Sequence, residues 1–224
     1  MSRRLIALGV ASAIALIAGC DSGESGVEAE STAPVVQLGG PGETNRVLGD
    51  EELAATPTVP GHTAADVDFV NAMIAHHQQA LDITALVDAR AADDGLPLLA
   101  ERMEVSQVAE IDQLKGWLTA RGEDPEGFLQ HQGMQMPGTL TAEQMAALAA
   151  ASGEDFDVLF LQSMIHHHEG AVVMVETLLS GGLGGQEPQL FQIAGGIETD
   201  QQVEIARMKS MLVELAPAVS NEGG

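Results

Sequence analysis

The chain of 224 residues carries 33 acidic residues against 9 basic ones, a net charge of −24 at neutral pH with histidine uncharged. Such a surface repels nucleic acid and anionic head groups and attracts cations, so no nucleic-acid partner is expected. One cysteine leaves no internal disulfide, and an aromatic content of 3% without β-branched alternation argues for an all-α chain over a sheet core.

The first 19 residues contain Arg3 and Arg4, an apolar run from Leu5 to Ala18 and no acid, the pattern of an export signal. The run is too short to span a bilayer, and it ends in Leu16-Ile17-Ala18-Gly19-Cys20, which resembles a bacterial lipobox. Cys20 is therefore expected to become the lipidated first residue of the mature protein and to anchor it to the membrane. Loss of the signal leaves 7 basic and 33 acidic residues, a net charge of −26. Residues 20–60, rich in Gly, Ser, Pro, Thr and Glu, bury too little to offset their ordering entropy and read as a flexible tether without strands. Residues 61–216 remain for one folded domain, and 217–224 read as a disordered tail.

Thr63 and Asp66 form a capping box for a helix expected from Ala64 to Ala92, where Asp93, Asp94 and Gly95 interrupt it. Pro97 suits the start of a second helix, periodic from Leu98 to Leu118 and ended by Gly122 and Pro125. A loop with His131, Met134 and Met136 follows. Thr141 with Gln144 marks a short helix to about Ala151, Asp155 opens a long one that ends at Gly181 to Gly185, and Pro188 starts the last. Four long helices and one short one predict a bundle.

Two of the long helices carry the same motif. Phe69, Met73, Ile74, His76, His77 and Ala80 recur as Phe160, Met164, Ile165, His167, His168 and Ala171, each 91 residues later. A second block, Met103, Glu104, Gln107, Glu110, Ile111 and Leu114, recurs as Ile197, Glu198, Gln201, Glu204, Ile205 and Met208, each 94 residues later. Two equivalent halves around a pseudo-twofold axis are the natural reading.

Steps of four and three place Phe69, Met73, His76, Ala80, Ile83 and Val87 on one seam and Phe160, Met164, His167, Ala171, Met174 and Leu178 on another. The other two long helices give Met103, Gln107, Glu110, Leu114 and Trp117, and Ile197, Gln201, Glu204, Met208 and Met211. Each apolar seam is broken near its middle by His or by Gln and Glu, so six polar groups are expected to share one core layer. Ionisable groups in a core cost several kcal/mol each unless they are paired, hydrogen-bonded or metal-bound. Two readings follow: a self-satisfied network in which each imidazole donates to a carboxylate and Gln fills the remaining valences, or a metal site.

His77 and His168 lie about 100° around their helices, on a flanking face one turn after Met73 and Met164. Thioether with imidazole favours copper, above all Cu(I), whereas a carboxylate-rich seat also takes zinc or iron; methionines on a seam are more often core filler. The loop residues His131, Met134 and Met136 form a candidate second soft-metal seat. His62 and His166 read as solvated.

The paired M-I-x-H-H-x-x-A blocks, each followed by Q-x-x-E-I, resemble the bacterial domain-of-unknown-function 305 family over roughly residues 63 to 215. The resemblance implies a ferritin-like four-helix bundle built from two helical hairpins, frequent export and, through copper-binding relatives linked to copper resistance, metal handling. Carried over residue by residue, the histidine motif falls on Met73, His76, His77, Met164, His167 and His168, and the acidic partner positions on Glu110 and Glu204.

The leading expectation is thus an envelope-anchored metal-binding protein, for copper first, that buffers or passes on the ion. A ferritin-like metal-dependent redox enzyme stays open, although the Glu-x-x-His motif of di-iron bundles is missing, and so does a structural module whose polar layer only specifies packing. No cysteine lies in the folded domain, and Gly181 to Gly185 lacks the Lys and Ser or Thr of a phosphate-binding loop, so neither thiol nor phosphate chemistry is indicated.

Overall fold

Thr63 accepts the Asp66 N–H while the Asp66 carboxylate accepts the Thr63 N–H, so the expected capping box opens helix α1, Ala64–Thr84. Pro97 lies in the first turn of α2, Leu96–Ala120, and Gly122 follows it at φ +73°, a conformation that costs glycine little. A 3-10 turn, Gly127–Gln130, precedes the short α3, Ala142–Ala150, which the Thr141 and Gln144 box caps. The last two helices are α4, Glu154–Ser180, and α5, Pro188–Leu215. These come from a computed structural model that describes residues 36–37, 44–47, 49 and 60–215. The expected export signal, Cys20, most of the tether and the tail at 217–224 lie outside the described residues.

Two expectations need correction. The first helix ends at Thr84, not Ala92, because i to i+3 hydrogen bonds replace the helix at Leu86, Val87 and Arg90. Tertiary contacts then fix the altered path: the Asp157 carboxylate accepts the Ala92 and Asp93 N–H groups, and Gly153 N–H donates to Arg90 O. The second correction concerns residues 20–60, expected to lack strands. There β1, Val36–Gln37, pairs antiparallel with β2, Arg46–Val47, setting β-branched Val36 opposite Val47. This hairpin does not belong to the unit that holds the helices, which begins at Thr58.

In the helical unit α1 packs on α2 and α4 on α5, forming two hairpins; α1 of the first lies on α4 of the second, and α2 on α5. The result is an all-α four-helix bundle, with α3 against α4. Its core divides in two. One apolar cluster joins Phe69, Met73, Leu114, Trp117, Met174, Leu178 and Ile197; the other joins Ile83, Leu99, Met103, Phe156, Phe160, Met164 and Met208. The residues of the broken seams lie between them.

At one end the buried Trp117 donates from Nε1 to Glu187 at 3.0 Å, with the Arg121 guanidinium over its ring and 2.8 Å from the same carboxylate. Burial alone would raise the Glu187 pKa, but hydrogen bonds from Trp117, the Leu190 N–H, Arg121 and the Gln189 N–H outweigh it and hold the carboxyl at about 2. A depressed folded-state pKa adds stability above the unfolded value and loses it as pH falls toward 2. Glu187→Gln is therefore expected to make the loss of stability between about pH 4.5 and 2 shallower, measured as melting temperature against pH.

Candidate metal centre

All four motif histidines are buried: His76 and His168 are 0% exposed, His77 and His167 1%. Beside them lie buried Gln107, Gln201 and Glu110, with Glu204 only slightly more open. His76 and His167 meet across the α1 to α4 contact, ring centroids 3.8 Å apart and planes tilted by 38°. His77 Nε2 donates to Glu110 at 2.5 Å inside the first hairpin, and His168 Nε2 to Glu204 at 2.6 Å inside the second. The contacts therefore fall in matching pairs, as the repeated motifs do.

This arrangement corrects the expected network, in which the seam imidazoles His76 and His167 pair with the carboxylates. The carboxylates go to His77 and His168 instead. Each long helix touches two neighbours, so a ring rotated about 100° from the α1 to α4 seam faces the other helix of its own hairpin. The network is also not self-satisfied. Both ring nitrogens of His167, the Nδ1 atoms of His76, His77 and His168, Oε1 of Gln107 and Nε2 of Gln201 are buried without hydrogen-bond partners.

An ionised carboxylate can only accept, so Glu110 and Glu204 fix the proton of their histidines on Nε2 and leave the Nδ1 lone pairs free. The Pro137 carbonyl, 3.0 Å from His76 Nε2, does the same for His76. Burial, then electrostatic repulsion from the neighbouring His77 site, lowers the His76 pKa to about 3 despite the opposing Pro137 bond. His167 is held well below the usual imidazole value by burial first and by neighbouring histidines next. Both rings are thus neutral at physiological pH, the protonation state a metal requires. Two kinds of soft or borderline donor are available: unpartnered imidazole nitrogens, and thioethers from Met73 packed on one side of the layer and Met164 on the other. Among the described residues no three His, Cys, Asp or Glu side chains stand ready as a metal-binding group, so the donors are gathered into one layer without being closed into a cage.

The expected loop seat is dispersed. Met134 is 55% exposed, Met136 packs against the core, and His131 has its Nδ1 buried without a partner. His166 is exposed as expected, but His62 is half-buried, edge-on to Trp117 and bonded to Glu123. Sequence reasoning misses Pro137 and Gly170. The Pro137–Gly138 backbone lies directly on α4 at Gly170, where a Cβ would stand 2.1 Å from the Pro137 oxygen. The one available signal is a glycine in the middle of a helical pattern. Its motif counterpart, Gln79, bonds the same segment through the Leu140 N–H and carbonyl. Asp200 is missed as well; exposed on α5 one turn before Glu204, it has its pKa raised by partial loss of water and then by the charges of Glu110 and Glu204.

No helix among the described residues is long and apolar enough to cross a membrane. Comparison with curated proteins gives no match. Among solved structures, the chain is similar to a Streptomyces coelicolor DUF305 protein described as secreted, at 28% identity and TM-score 0.59 over 67% of this chain and 93% of that one. A DUF305 fragment from Deinococcus radiodurans matches at 28% identity and TM-score 0.60, over 69% and 99%. CopM in its Cu(I)-bound form matches at 27% identity and TM-score 0.54, over 67% and 97%, and Cu(II)-bound and silver-bound forms of CopM match as well. The model of the domain of unknown function DUF305 matches residues 66–212, most of the helical unit, and the chain belongs to that family.

Proposed function

We propose that the polar layer binds a soft metal ion, copper in the first place, and that the protein is an exported, Cys20-anchored copper-binding protein that buffers or passes on the ion. The observation that carries this reading is the set of unpartnered nitrogens on four buried histidines, which cost stability in the empty bundle and are ready-made ligands in a filled one. His76, His77, His167 and His168 supply imidazole nitrogen, with Met73 and Met164 as the thioethers that flank the layer on its two sides. Glu110 and Glu204 act one step back, orienting His77 and His168. The similarity to CopM in Cu(I)-, Cu(II)- and silver-bound forms supports copper over zinc or iron. The excess of negative charge attracts the cation to the domain.

Titration of the mature domain with Cu(I), Cu(II) and Zn(II) tests the proposal. Stoichiometric Cu(I) binding that disappears in His76→Ala with His167→Ala is the expected result. Absence of binding, or binding indifferent to that pair of substitutions, would leave the layer as a packing device. Glu110→Gln together with Glu204→Gln is expected to weaken Cu(I) binding by roughly 10- to 100-fold, because an amide that can donate as well as accept, without charge, no longer fixes the histidine proton on Nε2. A competition assay against a chromophoric Cu(I) chelator reads this directly.

A further inference from the structure

The four histidines of the layer are shut off from solvent, so an ion needs a way to them. A cavity of about 570 Å3 opens between the start of α1, the end of α4 and the segment that joins the two hairpins. Much of its wall is apolar, with Phe69 and Leu178 among its residues. Three side chains able to hold a metal interrupt it: His131 from the joining segment, Asp68 from α1 and Met174 from α4. His131 Nδ1 is buried and has no hydrogen-bond partner. Pro137 forms part of the same wall, and its carbonyl is the acceptor of His76 Nε2 at 3.0 Å. Pro137 thus links the wall of the cavity to the stacked imidazoles.

We propose that this cavity is the route by which a soft cation reaches the polar layer, with His131 as its first imidazole ligand. The inference rests on the layer as the resident seat and adds the path and the first contact. A hydrated ion does not cross an apolar wall unaided, because its lost water must be replaced by ligands. Asp68, exposed in this wall, draws cations in, and His131 and the Met174 thioether offer nitrogen and sulfur to replace the water a soft ion loses. Beyond Pro137 the ion reaches His76, whose Nδ1 is unpartnered.

Rates separate the route from the seat. Cu(I) handed over from a chromophoric chelator to the mature protein is followed by stopped-flow absorbance, with final occupancy measured on the same samples. Thr177→Trp, which fills the cavity from an exposed position on α4, is expected to slow loading by about tenfold while the occupancy finally reached matches that of the unaltered protein, and His131→Ala is expected to slow loading to a similar degree. Unchanged loading rates in both variants, with normal final occupancy, overturn the route and leave the seat standing. Failure of the unaltered protein to take up Cu(I) removes the seat and the route together. A melting temperature measured for each variant separates slow loading from misfolding, and Thr177→Trp loading at the normal rate with the cavity filled also overturns the proposal.

Discussion

Replacing both stacked imidazoles, His76→Leu together with His167→Leu, is expected to raise the melting temperature of the metal-free domain while abolishing its Cu(I) binding. Neither nitrogen of His167 has a partner, and an unsatisfied buried polar group costs roughly 1–3 kcal/mol. Leucine of similar volume removes that cost at position 167; at position 76 the gain is partly offset because the Pro137 carbonyl loses its donor. The double variant should therefore gain about 1–2 kcal/mol, a trade of stability against function. The pH dependence sharpens the test. The His76 pKa is pushed down to about 3 in the folded chain from 6.5, so the unfolded state takes up a proton that the folded state refuses. That stabilisation is complete above pH 6.5 and drains away as pH falls toward 3, on the order of 4–5 kcal/mol from His76 alone. With leucine at both positions, this acid-sensitive limb of melting temperature against pH should flatten. A double variant less stable than the parent by about 2 kcal/mol or more, or one keeping the parent's slope below pH 6.5, would mean that the layer satisfies itself and that the metal reading lacks its motive.

Much of this layer is legible in the sequence because helical periodicity is a statement about angle. The seam through Phe69, Met73, His76, Ala80 and Ile83 is buried throughout, and so is its counterpart through Phe160, Met164, His167, Ala171, Met174 and Leu178. The capping boxes at Thr63 and Thr141 set two helix starts to the residue, since the chemistry of those caps is local. Angle about one helix does not say which neighbour a ring meets, however. His77 and His168 look like a flanking face from their own helices and become the carboxylate partners only when a second helix stands beside them. The early end of α1 escapes for the same reason, because the residues that divert the backbone, Gly153 and Asp157, lie more than sixty positions away. The Pro137 carbonyl is a backbone group and leaves no side-chain pattern to read.

Two glycine-to-alanine substitutions, both inside helices, are expected to move stability in opposite directions. At Gly116 in α2 a Cβ meets nothing within 4 Å, so Gly116→Ala should stabilise by about 0.5–1 kcal/mol, the usual difference in helix propensity. At Gly170 in α4 the same methyl group would stand 2.1 Å from the Pro137 oxygen and 2.5 Å from Gly138 Cα. These are backbone atoms that cannot rotate aside, and Gly138, at φ +77°, is already in a conformation that suits glycine. The segment must lift, so Gly170→Ala should destabilise by about 2 kcal/mol or more despite the better propensity of alanine. Lifting it also withdraws the carbonyl that holds the proton on His76 Nε2, which frees that ring to exchange tautomers and lowers the share with Nδ1 ready to ligate. Weaker Cu(I) binding should therefore accompany the lower melting temperature at Gly170 and not at Gly116. Equal effects of the two substitutions on stability would show that the segment yields freely over α4. A destabilised Gly170→Ala variant with unaltered Cu(I) affinity would show that Pro137 supports the bundle without governing the metal layer.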